Sequence, residues 1–297
     1  RITPRQNDAV NSCWMPDSHR LNYKYINAET RIPQPVIRTD AEAPHRPSTW
    51  EPALASAAEA VKRIAPNQLA IIASGRMTNE ELYMVRHLAA QIGTDMVDIV
   101  PRMGESDGML ISADRNPNTN GARLVLGIEP GSRLDAIREG VRSGSVKGIL
   151  TLGEDLTSPE AGFTAEDLDK LDYLFMTAHS ANETARHADL VLPGVTYAEK
   201  FGTMINVTGR IQRLNRAIQP IGYARDDWQI FRDITLLLGG NPALKNFNSA
   251  LDILTAMSTE YGALNGVSWG SIGDGGQPIL ETGVTIPVVE REKNQGR

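Results

Sequence analysis

The sequence predicts an α/β fold, an open and mostly parallel sheet preceded by an irregular N-terminal arm. Short apolar runs alternate with amphipathic helical segments, the pattern of strands joined by helical crossovers. The chain has 297 residues, of which 41% are hydrophobic, enough for one large domain or two smaller cores. We expect an arm over residues 1–47, an α/β domain over 48–240, and a helix with a tail over 241–297.

Composition excludes several classes of protein. The formal net charge of -6 argues against a nucleic-acid partner, because phosphate binding needs a clustered basic excess. No apolar run reaches the roughly 18 residues that span a bilayer, so we expect no direct membrane insertion. Cys13 is the single cysteine, which excludes an internal disulfide framework and a cluster held by several thiolates. The chain begins at Arg1 without an initiator methionine, so we interpret it as a fragment of a longer protein.

The α/β region opens with a helix that Thr49 caps, in the stretch STWEPALASAAEAVKRI. The apolar run at residues 68–74 predicts a buried strand. Thr78 and Glu81 stand at capping-box spacing and predict the start of a second helix, which Gly93 ends.

The alternation then continues around a long irregular passage. A short strand is expected at 95–100, followed by loop-rich residues 102–127 with Asn-Pro and Asn-Gly turn chemistry. Ser132 is expected to cap a helix at 133–144, and a strand follows at 146–153. The remaining predicted elements are a short helix opened by Thr164, a strand at 173–177, helical turns at 182–188, a strand at 189–193, helices at 226–239 and 249–261, and a tail of edge strands with a frayed end.

Three loops follow the predicted strands, at the edge where open α/β sheets bind ligands. They are 75–79, 153–155 and 177–180, and each places a small residue or glycine where a strand stops. The first and third lead towards a helix N-terminus, which favours an anion. The chain has no Gly-x-Gly-x-x-Gly and no Gly-Lys-Ser/Thr loop, which argues against an ordinary nicotinamide or ATP site.

The residues alone predict no catalytic group and no metal ligand. The five histidines never stand at metal-binding spacing with each other or with Cys13, and no Gly-x-Ser-x-Gly elbow is present. Three of the four acidic pairs fall at helix starts, where the helix dipole explains them. These pairs are Glu80–Glu81, Glu154–Asp155, Asp167–Asp169 and Asp226–Asp227.

The polar residues are densest in ETARHADLVLPGVTYAEKFGTMINVTGR. Its Thr203, Asn206 and Arg210 can hydrogen-bond an extended ligand, which would make the stretch a cofactor-binding loop. They can instead brace one another in a well-tied loop, with Arg210 paired to Glu199 or Glu183. Both interpretations fit the residues.

This stretch resembles the C-terminal signature of the molybdopterin oxidoreductase family. The signature is Glu-Thr, then Ala-Asp-hydrophobic-hydrophobic-Leu-Pro, then Glu-x-x-Gly-Thr-x-x-Asn-x-x-Gly-Arg. Its positions fall on Glu183, Thr184, residues 188–193, Glu199, Gly202, Thr203, Asn206, Gly209 and Arg210. The helix–strand–helix unit from TWEPALASAAEAVKRI to GTDMVD is similar to the version in the large iron–sulfur subunit of bacterial NADH:quinone oxidoreductase, respiratory complex I. The resemblance covers nearly all of residues 1–240.

The resemblance implies a shortened molybdopterin oxidoreductase-like fold with Rossmann-like βα units. It also implies a pterin-dinucleotide site. The candidate residues are Gly75, Gly153, Thr184, Asp189, Gly202, Thr203, Asn206, Gly209 and Arg210. The chain departs from the family where Pro16 stands in a cysteine position, and it has no room for the central molybdenum-binding domain. The sequence does not include the family's upstream iron–sulfur portion, which we expect to have been cut away or to be encoded separately.

Two functions follow from this resemblance. The first is a non-catalytic scaffold in a peripheral-arm subunit of NADH:quinone oxidoreductase, supporting electron transfer from NADH to quinone in the assembled complex. It implies no cofactor in this chain, iron–sulfur clusters upstream or in partner subunits, other peripheral-arm subunits as partners, and a cytoplasmic place at the inner membrane. The second is a compact oxidoreductase chain that binds molybdopterin guanine dinucleotide. A free-standing nucleotide-binding module is a weaker third.

Overall fold

A seven-stranded sheet forms the centre of the protein. The computed structural model describes residues 2–39, 43–287 and 289–290. The strands are β1 (Val36–Ile37), β2 (Arg46–Pro47), β3 (Leu69–Ala73), β4 (Val97–Ile99), β5 (Gly148–Leu152), β6 (Tyr173–Ala178) and β7 (Leu190–Pro193). They lie in the order β2-β1-β7-β6-β5-β3-β4, and the strands from β7 to β4 are parallel. The arm supplies β1 and β2, which pair antiparallel at one edge. The predicted open, mostly parallel sheet is confirmed.

Helices cover both faces of this sheet. They are α1 (Asp17–Arg20), α2 (Trp50–Arg63), α3 (Asn79–Ile92), α4 (Thr119–Leu126), α5 (Leu134–Ser143), α6 (Ala165–Leu168), α7 (Glu183–His187), α8 (Asp227–Leu237), α9 (Ala250–Glu260) and α10 (Trp269–Ile272). One core packs α2, α3, α4, α8 and α9 against side chains such as Ile71 and Phe175. The other packs α5, α6 and α7 against side chains such as Ile72 and Met176. Because both faces are covered, the central strands are continuous apolar runs.

Two helix starts form as their local sequence predicts. At the start of α3, the Glu81 backbone N–H donates to Thr78 Oγ1 at 3.2 Å, and the Thr78 N–H donates to Glu81 Oε2 at 2.8 Å. Thr164 and Asp167 form the same reciprocal pair at α6. Gly93 ends α3 in the left-handed conformation, as expected.

Two local predictions are wrong. Ser132 does not cap α5, whose N-cap position is Arg133. The carboxylate of Asp98, which lies in β4, accepts the Gly131 and Arg133 backbone N–H groups at 2.9 and 2.6 Å, so a distant residue replaces the local cap. The passage 102–127 is not entirely loop, because α4 forms inside it with Ala122 and Val125 buried. Tertiary burial overrides the turn preference of its Asn, Thr and Gly residues.

A second sheet of three strands stands beside the first. Its strands are β8 (Gly202–Ile205), β9 (Arg210–Leu214) and β10 (Gln277–Pro278), in the order β10-β9-β8. Gly209 has φ of 78° in the β8–β9 turn, where Asn206 Oδ1 accepts the Thr208 and Arg210 backbone N–H groups. The expected edge strand in the tail is therefore present as β10. The sequence also predicts a frayed end to this tail, and its last residues, 291–297, lie outside the described residues.

Candidate functional site

A cavity of about 770 Å³ opens at the carboxyl edge of the parallel sheet. Ser74, Gly153, His179 and Gly194 line it, and these residues directly follow β3, β5, β6 and β7. All three predicted strand-end loops therefore reach the same cavity. This is the place where doubly wound sheets bind ligands, and the volume suits a small organic molecule or cofactor.

The N-terminal arm and the second sheet complete the walls. From the arm come Ile2, Met15, His19, Asn22 and Tyr25. The β8–β9 hairpin and residues 110–117 form the facing side. The arm is therefore part of the cavity rather than a separate appendage.

The charged lining is more positive than negative. Its charged side chains are Arg76, Arg115, Lys200 and Arg213 against Asp114 and Asp227. Lys200 is buried and bonded to Glu81 at 2.8 Å and Asp227 at 3.3 Å. Arg76 is exposed, and within the described part of the chain no side chain or carbonyl pairs with its guanidinium. Because Lys200 and Arg213 are paired with acids, the cationic side chain left for an anionic ligand group is chiefly Arg76.

One wall is aromatic and uncharged. The Tyr25 ring lies 5.3 Å from the His179 ring and 6.2 Å from the Tyr197 ring, between ring centroids. Burial, aided by the nearby Arg31 charge, lowers the pKa of His179 to about 4. His179 is therefore neutral at pH 7, and its Nδ1 shares a hydrogen bond of 2.8 Å with Ser180 Oγ. A planar ring can stack on such a wall.

Three of the nine candidate residues lie at or beside the cavity. Gly153 and Asn206 line it. Gly75 stands between the lining residues Ser74 and Arg76, and a Cβ there would lie 2.5 Å from Asn116 Cγ. The close packing of Gly75 is thus explained by a neighbouring side chain rather than by a ligand.

Thr184 and Asp189 bind parts of the protein away from the cavity lining. Thr184 is buried, and its Oγ1 donates to Asp155 Oδ1 at 2.7 Å while accepting the Leu156 backbone N–H at 2.8 Å. Asp189 precedes β7 at the amino edge of the sheet, opposite the cavity. It accepts the Leu174 backbone N–H at 2.7 Å and pairs with Arg38 at 3.3 Å.

The other candidates brace the β8–β9 hairpin. Thr203 is fully buried and bonds Glu80 through both its backbone N–H and its hydroxyl, each at 2.8 Å. Gly202 packs against the same carboxylate, and Gly209 forms the hairpin turn. Arg210 donates to the Gly276 carbonyl at 2.8 Å.

The expected pairing of Arg210 with Glu199 or Glu183 is therefore wrong. Glu199 pairs with Arg31, and Glu183 pairs with Arg186. Arg31 offers no local sequence signal, since 168 positions separate it from Glu199. Nor did the sequence identify Tyr25 or Lys200 as cavity residues. Arg76, by contrast, stands inside a predicted strand-end loop, and its charge was the available signal.

The described residues contain no group of three or more His, Cys, Asp and Glu side chains placed to hold a metal ion. Among the same residues, no helix combines the length and the apolar character required to cross a membrane.

Part of the chain is similar to known proteins. Residues 101–235 match the family model described as Molybdopterin oxidoreductase. A protein of Staphylococcus haemolyticus described as a putative formate dehydrogenase is 32% identical over 138 residues, which cover 46% of this chain and 14% of that protein. A protein of Staphylococcus aureus with the same description is 31% identical over 153 residues, covering 48% of this chain and 16% of that protein. The matched region is thus a small part of these relatives.

The fold has a counterpart among solved structures. Acetylene hydratase from Pelobacter acetylenicus superposes with a TM-score of 0.55 and 10% identity, covering 86% of this chain and 67% of that one. The α/β architecture with a mostly parallel sheet is therefore shared with that protein. At this identity the likeness concerns the fold alone.

Proposed function

We propose that this chain is part of a molybdopterin-dependent oxidoreductase and that its cavity receives a portion of the pterin-dinucleotide cofactor. The observation that carries the proposal is the cavity of about 770 Å³ that lies where the carboxyl ends of four neighbouring parallel strands meet. Two supports are independent of that geometry. They are the family match over residues 101–235 and the similarity to proteins described as putative formate dehydrogenases.

The residues present fit such a cofactor in charge and shape. Arg76 would hold a phosphate group, whereas the Lys200 ammonium in the lining is already paired with Glu81 and Asp227. Asn206 lines the same cavity, but its Oδ1 accepts hydrogen bonds within the hairpin turn and its Nδ2 donates to Gln212 Oε1 at 3.0 Å, so it shapes the wall. The neutral His179 and Tyr25 rings would stack on a planar ring system. When bound with its metal, a molybdopterin cofactor supplies two-electron redox chemistry.

The test is the cofactor content of the native protein. We expect stoichiometric pterin, measured as fluorescence of the released oxidised form, together with molybdenum or tungsten by elemental analysis. The protein should come from cells that make the cofactor and should be folded by circular dichroism. Absence of pterin and of both metals from such a sample would contradict the proposal.

One observation favours the scaffold function as a second candidate. Thr184, Asp189 and Thr203 are occupied by internal hydrogen bonds, so the family's signature residues serve as architecture here. A non-catalytic domain in a peripheral-arm subunit of NADH:quinone oxidoreductase would retain the shape of a cofactor site without its contents. The scaffold function predicts that the chain co-purifies with partner subunits at high salt and contains no pterin. The first proposal predicts that pterin is present.

A further inference from the structure

The N-terminal arm and the loops around the cavity meet at the guanidinium of Arg31. Its Nη2 donates to Glu199 Oε1 at 2.9 Å and Oε2 at 2.7 Å, and the two side chains are 2% and 1% exposed. Neither residue lines the cavity. Removing two charged groups from water is unfavourable in free energy, so a buried ion pair is stable only where hydrogen bonds satisfy both partners.

The remaining donors of Arg31 reach two carbonyls. Nε donates to the His179 carbonyl at 3.0 Å, and Nη1 donates to the Ile26 carbonyl. The backbone adds a bond of 3.1 Å from the Ile32 N–H to the same His179 carbonyl. Ile26 follows Tyr25, so one side chain fixes the arm turn and the loop after β6 together.

Glu199 connects two further segments to this ion pair through hydrogen bonds. It accepts the backbone N–H and the hydroxyl of Thr196 at 2.8 Å each, and the backbone N–H of Ile221 at 3.1 Å. Thr196 lines the cavity, and Lys200 directly follows Glu199. Although burial raises the pKa of Glu199, the bonds from Thr196 and Arg31 outweigh it and hold that pKa below its usual value.

We infer that Arg31 is a positioning residue of the cavity, which sets the relative placement of Tyr25, His179 and Lys200 without touching the ligand. The inference rests on the proposed function only in taking this cavity as the ligand site. Arginine is required because its planar fork serves a carboxylate and two carbonyls at once. A lysine ammonium keeps the charge but cannot span those directions.

Arg31→Lys tests this with a readout that does not depend on any cofactor. The charges that act on His179 are Arg31, Lys200, Arg76 and Asp227, and the variant retains all of them. We expect the released loop to admit water, so the midpoint of the His179 titration rises by about one pH unit or more. The measurement is the NMR titration of the histidine ring carbons in the full chain.

Arg142→Lys is the matched control, since Arg142 pairs with Asp167 at 2.9 Å between α5 and α6, away from the cavity. It should leave the His179 midpoint unchanged. A folded Arg31→Lys protein with the wild-type midpoint would overturn the inference, even if its stability fell, because a merely structural ion pair predicts that result.

If Arg31→Lys does not fold, hydrogen exchange on the wild-type protein decides. The amides of Ile32, Thr196 and Ile221 should open with one common free energy, because all three depend on the Arg31–Glu199 pair. Opening at clearly different free energies would overturn the inference. Absence of pterin from the native protein contradicts the proposed function and leaves both readouts intact.

Discussion

Glu80 is a buried acid with no cation among its described hydrogen-bond partners. It is 1% exposed and accepts two hydrogen bonds from Thr203. Burial raises its pKa to about 7, and the Thr203 bonds only partly offset the effect. The helix dipole expected to explain the Glu80–Glu81 pair therefore does not decide the state of Glu80; the surrounding protein does.

Replacing Glu80 with glutamine should flatten the pH dependence of stability. The unfolded carboxyl ionises near 4.5 and the folded one near 7, so its stabilising contribution is complete below pH 4.5 and is lost as pH rises to 7. Its share of the slope is at most about 1.4 kcal/mol per pH unit. Urea unfolding at pH 4.5 to 7.5 measures this change. Glu81 titrates in the same window, so a reduced slope is expected rather than none.

The control for Glu80→Gln is Glu51→Gln, at an exposed position on α2. If the free energy of unfolding of Glu80→Gln changed with pH as steeply as that of the wild type, Glu80 would have the same pKa in the folded and unfolded states. That result would contradict the burial argument.

Gly202 is required by the same contact. A Cβ at this position would lie 2.7 Å from Glu80 Oε2 and 2.9 Å from Thr78 Cβ. Gly202→Ala should lower the free energy of unfolding by about 1–3 kcal/mol because the hairpin must move off α3. Gly262→Ala is the control, since nothing lies within 4 Å of its added Cβ. Equal denaturant midpoints for the two variants would contradict the packing argument.

At the scale of elements, local sequence predicted the parts that local physics determines. The capping box at Thr78, the helix start at Thr164 and the central parallel strands form as expected. α5 begins differently because its start depends on Asp98, 33 positions before Gly131. The Arg31–Glu199 pair could not be read from periodicity or spacing, because it connects elements that only the completed fold brings together.

The position of Asp189 allows a role in stability to be distinguished from a role in ligand binding. Because it lies at the amino edge of the sheet, Asp189→Asn should weaken the junction of β1, β6 and β7 and leave the cavity intact. We expect a loss of about 1–2 kcal/mol in the free energy of unfolding, measured with urea. Binding of inorganic pyrophosphate, measured by calorimetry, should not change.

Asp172→Asn provides the comparison at the same edge. Its pair with Lys147 spans 3.5 Å between side chains that are 61% and 45% exposed, so little stability should be lost. Normal stability with weakened pyrophosphate binding in Asp189→Asn would instead assign that carboxylate to the ligand site.

At the scale of the whole molecule, the charged side chains that line the cavity are mostly positive, whereas the chain is negative. The chain carries a net charge of -6, whereas the cavity lining has four cationic and two anionic side chains. Since Lys200 and Arg213 are paired with acids, an anionic ligand is repelled at long range and attracted locally chiefly by Arg76. Salt should weaken both effects, and the local attraction persists best where water is partly excluded.

Arg76 should provide most of the local attraction, because the described residues leave its guanidinium unpaired. Arg76→Gln should weaken pyrophosphate binding about tenfold, the loss of one charge-assisted hydrogen bond. Calorimetry at two salt concentrations should also show a smaller salt dependence. Arg46→Gln, on the exposed edge strand β2, is the control. Similar affinities for both variants would place the anion elsewhere.

The position of β1 between β2 and β7 has a consequence for synthesis on the ribosome. The ion pair between Arg38 and Asp189 can form only after Asp189, 151 positions later, has been synthesised. At about 5–20 residues per second, this takes roughly 8–30 s. During this interval β1 lacks the β7 strand that covers one row of its backbone groups, so β1 is accessible to proteases and to chaperones. A pulse of protease on stalled nascent chains should therefore cut the arm until β7 has emerged, and spare it afterwards.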